Sequence, residues 1–140
     1  MVGILLITHN GLGDSLIDCV RHVLGNAPPH LKSLSVLAND DPQRKEAEAG
    51  ALIAQLDSGD GVLLLSDVYG ATPSNIARRL CVPGRIEGVA GVNLPMLLRV
   101  ACYSGKPLSE LVQRAVDGGK ECIVNMNSEG CDATTGCANR

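Results

Sequence analysis

The sequence predicts an α/β fold: a doubly wound, mainly parallel sheet with helices on both of its faces. Two continuously apolar runs, at residues 2–7 and 62–65, are typical of strands that are buried on both sides. Segments with helical periodicity separate the strand-like runs, which is the pattern of parallel strands joined by right-handed crossovers. The chain has two tyrosines and neither phenylalanine nor tryptophan, so we expect a core of Leu, Val, Ile and Ala.

The composition describes one globular domain. With 140 residues, 45% of them hydrophobic, the chain is long enough to bury its own core. A net charge of -3 and scattered basic residues argue against a nucleic-acid partner. The first apolar run is too short to cross a membrane and no basic residues precede it, so we expect a cytoplasmic protein without membrane insertion. We assign residues 1–126 to the domain and expect residues 127–140, which are polar and aperiodic, to form a flexible tail.

The six cysteines form no C-x-x-C pair; they occupy positions 19, 81, 102, 122, 131 and 137. This spacing does not match the ligand pattern of a zinc site. In a reducing compartment we expect small buried apolar residues and tail thiols at these positions. The sequence therefore predicts neither a metal site nor a cofactor.

The N-terminal half contains two predicted strands and two predicted helices. The strand over residues 2–7 is followed by a helix that Asp14 or Ser15 should cap and that ends near residue 24. A half-polar strand over residues 34–37 suits a position nearer the sheet edge. An Asp-Asp-Pro sequence then predicts the start of a second helix, which spans residues 42–56.

The C-terminal half continues this alternation. The strand over residues 62–65 should lie beside the first strand, because both are apolar throughout. Thr72 is expected to cap the next helix, with Pro73 at its first position. The remaining predicted elements are the rest of that helix to residue 80, a strand over residues 86–92, a helix over residues 93–102, a helix that begins at residue 107 and is ended by Gly118-Gly119, and a last short strand over residues 121–125. The pattern alone does not give this last strand a place in the sheet.

Two polar side chains follow the two central strands. His9 comes after the first strand and Asp67 comes after the third, so both should lie at the carboxyl edge of the sheet, where ligands bind in open α/β folds. A carboxylate that accepts a hydrogen bond from one imidazole N–H fixes the tautomer and leaves the other nitrogen as a neutral nucleophile. The pair predicts nucleophilic chemistry at His9, although either residue could instead only cap or pack a loop.

Thr72 adds a possible phosphate site at the same edge. The N-terminus of a helix offers unpaired amides and the positive end of its dipole, and a threonine hydroxyl adds a further donor. A plain N-cap is the alternative interpretation of Thr72. Three compatible groups in one crevice favour a site for a phosphoryl group.

Three segments carry a family resemblance. They are Thr8-His9, the run Asp-Val-Tyr-Gly-Ala-Thr-Pro-Ser-Asn at residues 67–75, and the run Gly-Val-Asn-Leu-Pro-Met-Leu at residues 91–97. These segments resemble the signatures of the mannose-type (mannose/fructose/sorbose) enzyme IIA domain of the bacterial phosphoenolpyruvate-dependent sugar phosphotransferase system. The resemblance covers roughly residues 2–125.

The resemblance implies a function and partners. His9 would accept a phosphoryl group from the phosphocarrier protein HPr and pass it to a IIB component, which makes the chain a phosphotransferase with a phosphohistidine intermediate in sugar uptake. Asp67 would orient and stabilise the imidazole, and Thr72 would contact the phosphate. The family also implies a homodimer in which the last strand, residues 121–125, crosses to the partner's sheet and pairs antiparallel.

Two residues depart from the family pattern. Asn10 follows the histidine where glycine is frequent, and Ala71 replaces a second frequent glycine; the first change could alter how HPr docks. The sequence also ends without a fused IIB domain, so a separate acceptor is expected. A IIA protein of this kind could alternatively act as a regulator through phosphorylation-dependent protein binding.

Other interpretations of these motifs agree less well with the sequence. A receiver domain phosphorylated on Asp67 would need acidic Mg²⁺ ligands after the first strand, where this chain has Thr8-His9. A dinucleotide-binding loop would use Gly11 and Gly13, but Leu16 occupies the third glycine position. A pure interaction module, in which His9 has no chemical role, is the remaining alternative.

Overall fold

The computed structural model describes residues 1–127 and shows one four-stranded parallel sheet in the order β2-β1-β3-β4. All three neighbouring pairs are parallel, which confirms the predicted fold class. In chain order the elements are β1 (Gly3–His9), α1 (Leu12–Leu24), β2 (Leu31–Val36), α2 (Pro42–Leu56), β3 (Val62–Ser66), α3 (Thr72–Leu80), β4 (Ile86–Ala90), α4 (Leu94–Cys102) and α5 (Leu108–Glu121).

The two apolar runs occupy the centre of the sheet. β1 pairs with β2 on one side and with β3 on the other, and the side chains of residues 4–7 and 62–65 are fully buried. Alternate side chains of β1 point to opposite faces: Ile4 and Leu6 belong to one apolar cluster, and Leu5 and Ile7 to the other. Both faces of these two runs are therefore buried, which explains why residues 4–7 and 62–65 are all apolar.

Helices cover both faces of the sheet. α1, α4 and α5 pack on one face, and α2 and α3 pack on the other. Each helix follows a strand that runs toward the same edge, except α5, which follows α4 directly. The amino ends of α1, α2, α3 and α4 therefore lie along the carboxyl edge of the sheet, where the positive ends of their dipoles accumulate.

α1 begins earlier than predicted. Its first residue is Leu12 and its N-cap is Gly11, so neither Asp14 nor Ser15 caps it. The reason is tertiary: the hydroxyl of Thr8 in β1 accepts a hydrogen bond from the amide of Gly13 at 2.9 Å and draws the first turn against the sheet. β2 also begins earlier than predicted, at residue 31, because the pairing with β1 extends from its first residue.

α5 runs through the two glycines that were expected to end it. Gly118 and Gly119 are buried helical residues that pack against α4. A Cβ at Gly119 would lie 2.8 Å from Cε of Met96, and a Cβ at Gly118 would lie 3.0 Å from Cδ of Arg99. The glycines thus allow close helix packing, and the predicted helix end was wrong.

The predicted last strand, residues 121–125, does not form within the described residues. Glu121 is the final residue of α5, and residues 122–127 form no strand. Ile123 and Met126 are 74% and 94% exposed, so this segment leaves the domain without joining its sheet. Residues 128–140, most of the predicted tail, lie outside the described residues.

The prediction of free cysteines is wrong for two positions. Cys102 and Cys122, at the ends of α4 and α5, are each disulfide-bonded. Cys19, which is exposed, and Cys81, which is half-buried, are free thiols. Of the helices in residues 1–127, none is long and apolar enough to span a membrane.

Candidate functional site

The carboxyl edge of the sheet brings together the ends of the two central strands. Ile7 of β1 pairs with Ser66 of β3, so the residues that follow each strand leave the sheet side by side. His9 is the last residue of β1, and Asp67 comes directly after β3. Neighbouring parallel strands thus place two residues 58 positions apart in contact.

His9 and Asp67 make two hydrogen bonds to each other. Oδ2 of Asp67 lies 2.8 Å from Nδ1 of the His9 ring and also accepts the backbone amide of His9 at 3.0 Å. The other carboxylate oxygen accepts the amide of Val68 at 3.0 Å. The carboxylate is therefore held on both of its oxygens, and it fixes the imidazole relative to the strand that carries it.

The charge state of Asp67 follows from these contacts. Burial by itself raises the pKa of this carboxyl, since its side chain is only 12% exposed, but the hydrogen bonds from the backbone and the ring of His9 outweigh burial and hold the pKa below its ordinary value. An ionised carboxylate can only accept hydrogen bonds, so the proton between the two groups belongs to Nδ1 of His9. In the neutral ring, Nε2 then carries a free lone pair, and the His9 side chain is 46% exposed to an incoming group.

The turn after His9 depends on an unusual backbone conformation. Asn10 has a φ of +50°, in the left-handed region that favours glycine and that asparagine tolerates best among the other residues. Its amide donates to the carbonyl of Val36 in β2 at 3.0 Å. Asn10 can therefore stand where glycine is frequent in the family that this sequence resembles, and the backbone keeps the same path.

The loop between β3 and α3 is braced by a residue that sequence reasoning missed. The hydroxyl of Ser74 accepts the amide of Gly70 at 2.9 Å and donates to the carbonyl of Ala71 at 2.9 Å. Gly70 has a φ of +90°, which a residue with a side chain rarely adopts. A serine two residues into a helix that follows a glycine-containing loop is a signal that could have indicated this brace.

Thr72 lies at the same edge but does not cap α3. Ala71 is the N-cap, Thr72 is the first helical residue and Pro73 is the second, so the predicted cap was one residue too late. The Thr72 side chain is exposed, and within residues 1–127 it makes no hydrogen bond to His9 or Asp67. The structure joins His9 to Asp67 directly, whereas the Thr72 hydroxyl, at the amino end of a nine-residue helix, has no hydrogen-bond partner among the described residues.

Large apolar side chains are exposed on the segments that leave this edge. Leu12 is 43%, Leu37 52%, Val68 50% and Tyr69 68% exposed. They follow the ends of β1, β2 and β3, the same strand ends that position His9 and Asp67. Exposed apolar residues around a reactive group are typical of a surface that docks another protein. Among the described residues, no group of three or more His, Cys, Asp or Glu side chains could hold a metal ion.

Comparisons with known proteins agree with this geometry. The family model for the PTS system fructose IIA component, EIIA-man, matches residues 3–116. The mannose-specific EIIAB component of the phosphotransferase system of Escherichia coli strain K12 is 30% identical over 131 residues. That alignment covers 91% of this chain and 40% of the other protein, so the chain spans about two fifths of the length of this relative.

Solved structures share the fold at lower sequence identity. The mannose/sorbose-specific IIA subunit from Enterococcus faecalis superposes with a TM-score of 0.80 at 20% identity, over 94% of this chain and 98% of that one. The EIIA component from Streptococcus agalactiae gives a TM-score of 0.79 at 20% identity, over 91% of this chain and 98% of that one.

Proposed function

Because this chain belongs to the EIIA-man family of PTS system fructose IIA components, we propose that it carries a phosphoryl group on Nε2 of His9. The donor is phospho-HPr and the acceptor is a IIB component of a sugar phosphotransferase system. The 2.8 Å contact between Nδ1 of His9 and Asp67 is the observation that supports this assignment most strongly, because it leaves Nε2 as the nucleophile.

The transfer needs no proton to leave His9. The lone pair of Nε2 attacks phosphorus, the bond from phosphorus to the HPr nitrogen breaks, and its electron pair stays on HPr. The imidazole gains positive charge as the new bond forms, and the Asp67 carboxylate, which accepts a hydrogen bond from Nδ1–H, stabilises that charge. In the transfer to IIB, a nucleophile of IIB attacks the phosphorus, the bond from phosphorus to Nε2 of His9 breaks, and its electron pair stays on His9.

We assign the incoming phosphate to the amino end of α3. Thr72 is exposed there. The first backbone N–H groups of the helix also have no hydrogen-bond acceptor within the helix, because no helical residue precedes them by four positions. Lys and Arg are absent from residues 67–75, so helix amides and a hydroxyl supply the donors. Neutral donors suit a group that must be released to the next protein.

The exposed apolar residues around His9 provide the docking surface for both protein partners. Leu12, Leu37, Val68 and Tyr69 surround the strand ends that position the reactive nitrogen. HPr and IIB must each bring a phosphoryl-bearing or accepting atom to the same Nε2, so we propose that they use this surface in turn.

A homodimer completes the proposal. Ile123, Val124 and Met126 are 74%, 41% and 94% exposed directly after α5. Three large apolar side chains in four residues are typical of a segment that another subunit covers. We propose that a second copy of the chain buries them.

One experiment tests the phosphoryl-transfer proposal directly. The protein is incubated with phosphoenolpyruvate, enzyme I and HPr, and the modified residue is located by mass spectrometry. We expect one acid-labile, base-stable phosphate on His9, which His9→Ala abolishes. His22→Ala removes an exposed histidine from α1 and should leave the label unchanged. Label that survives His9→Ala, or an Mg²⁺-dependent acyl phosphate on Asp67, would contradict the proposal.

A further inference from the structure

A cavity lies beneath the loop that carries Asp67. It has a volume of about 140 Å³ and lies between α3 and the carboxyl halves of β3 and β4. Its walls include Ser66, Ala77, Cys81 and Gly88, and Tyr69 and Arg78 also border it. A Cβ at Gly88 would come within 3.2 Å of Sγ of Cys81, so the glycine keeps this wall open.

Ser66 places an unpaired polar group in the wall of this cavity. The residue is only 2% exposed, and its hydroxyl has no hydrogen-bond partner in the described part of the chain. Its carbonyl is fully used, because it accepts the amides of Gly91 and Val92, each at 2.9 Å. Buried hydroxyls are nearly always hydrogen-bonded, so this one lacks a partner that a polar atom of an occupant could supply.

Arg78 supplies a positive charge on the same cavity. Its guanidinium lies 5.6 Å from the centre of the Tyr69 ring, and it forms no salt bridge within residues 1–127. The neighbouring Arg79 differs in this respect, because it pairs with Glu46. A guanidinium without a carboxylate partner favours an anionic group on a ligand.

We propose that this cavity binds a short monocarboxylate that carries a hydroxyl or carbonyl oxygen on its chain, with the carboxylate at Arg78 and the second oxygen at Ser66. The size agrees, since an apolar cavity of about 150 Å³ accommodates a molecule with roughly six heavy atoms. Tyr69 belongs to the same loop as Asp67, so the occupant restrains the loop that orients His9.

The proposal is tested by titrating lactate into the protein while recording amide NMR spectra and binding heat. Propionate lacks the hydroxyl and propylene glycol lacks the carboxylate, so each omits one of the two proposed contacts. We expect lactate to bind with a Kd of roughly 1–10 mM and to shift the amides of Ser66, Tyr69 and Gly88. Each analogue should bind about five- to tenfold more weakly.

Variants assign the contacts. Ser66→Ala and Arg78→Gln should each weaken lactate binding about five- to tenfold, and Arg79→Gln is the matched control that should not. In a Cys19→Ser background, lactate should also slow the modification of Cys81 by a thiol reagent, since that thiol lines the cavity. Circular dichroism establishes that each variant is folded.

Three results would each overturn the proposal. The first is the absence of any lactate-dependent shift at these amides up to about 50 mM, which lies well above the expected Kd. The second is equal binding by lactate, propionate and propylene glycol, and the third is an Arg79→Gln effect as large as that of Arg78→Gln. The phosphoryl transfer to His9 is measured separately, so its failure would leave this result unaffected.

Discussion

At the scale of single residues, one carboxylate oxygen determines the chemistry of the site. Oδ2 of Asp67 accepts both the ring Nδ1 and the backbone amide of His9. Because both donors come from one residue, the carboxylate fixes the tautomer of the ring and its position on the strand together. In the neutral ring the remaining nitrogen carries a free lone pair, and the His9 side chain is 46% exposed, which suits the phosphoryl-acceptor role that we propose.

Replacing Asp67 by asparagine should slow phosphoryl transfer by about 10- to 100-fold. The amide keeps the size of the side chain but removes the negative charge that stabilises the developing imidazolium. The measurement is the rate of label transfer from phospho-HPr. Asp60→Asn, an exposed aspartate at the opposite edge of the sheet, should transfer at the normal rate; an unchanged rate in Asp67→Asn would remove the carboxylate from the mechanism.

Asp67 should also make stability depend on pH in the acid range. Its pKa is lowered below the ordinary value of 3.8 in the folded state. The stabilising contribution is therefore fully present above that value and is lost as the pH falls through the folded pKa. The difference in unfolding free energy between the wild type and Asp67→Asn, from urea titrations, should be fully present at about pH 5 and shrink below about pH 4. A difference that grows below about pH 4 would contradict this.

At the scale of elements, the start of α1 shows how packing overrides a local capping signal. Gly13 lies in the first turn, where its amide donates to Thr8 and a Cβ would come within 2.2 Å of Oγ of Ser33 in β2. The helix can approach the sheet this closely only because position 13 has no side chain. The glycine spacing that suggested a nucleotide loop therefore serves helix-to-strand packing.

Gly13→Ala should destabilise the protein by about 1–3 kcal/mol, because the new methyl group displaces Ser33 or tilts the first turn of α1. Gly11→Ala is the matched control: no atom lies within 4 Å of a Cβ built there, and its effect should stay within about 0.5 kcal/mol. Adding Ser33→Gly to Gly13→Ala should restore most of the loss. Chemical denaturation measures the three variants against the wild type, and equal effects of the two single alanine substitutions would refute the packing argument.

At the scale of the whole molecule, the parallel sheet gathers function at one edge. Four helices begin there, and both central strands end there. In the mechanism that we propose, this edge supplies the nucleophile, helix amides for the phosphate and exposed apolar side chains for a partner. The opposite end of the chain contributes a different surface, the exposed apolar segment after α5.

The oligomeric state tests the role of that segment. We expect sedimentation and light scattering to show a dimer. Ile123→Asp should raise the dissociation constant of the dimer at least tenfold, because the dimer would bury a charge. Val82→Asp is the control. Val82 is also an exposed apolar residue, 46% accessible, but it lies about 40 residues before this segment in the sequence. A monomeric wild type, or an equal effect of the two substitutions, would exclude this interface.

The amino-acid sequence alone predicts the fold class, the two central strands and the position of His9 and Asp67 at one edge of the sheet. These features follow from local patterns: apolar runs specify buried strands, and the carboxyl ends of parallel strands meet at one edge. The folded chain was needed to establish which atoms of His9 and Asp67 meet, where α1 begins, and why α5 continues through Gly118 and Gly119. Those outcomes depend on contacts between residues far apart in the chain, such as the 58 positions between His9 and Asp67, and no local periodicity encodes such contacts.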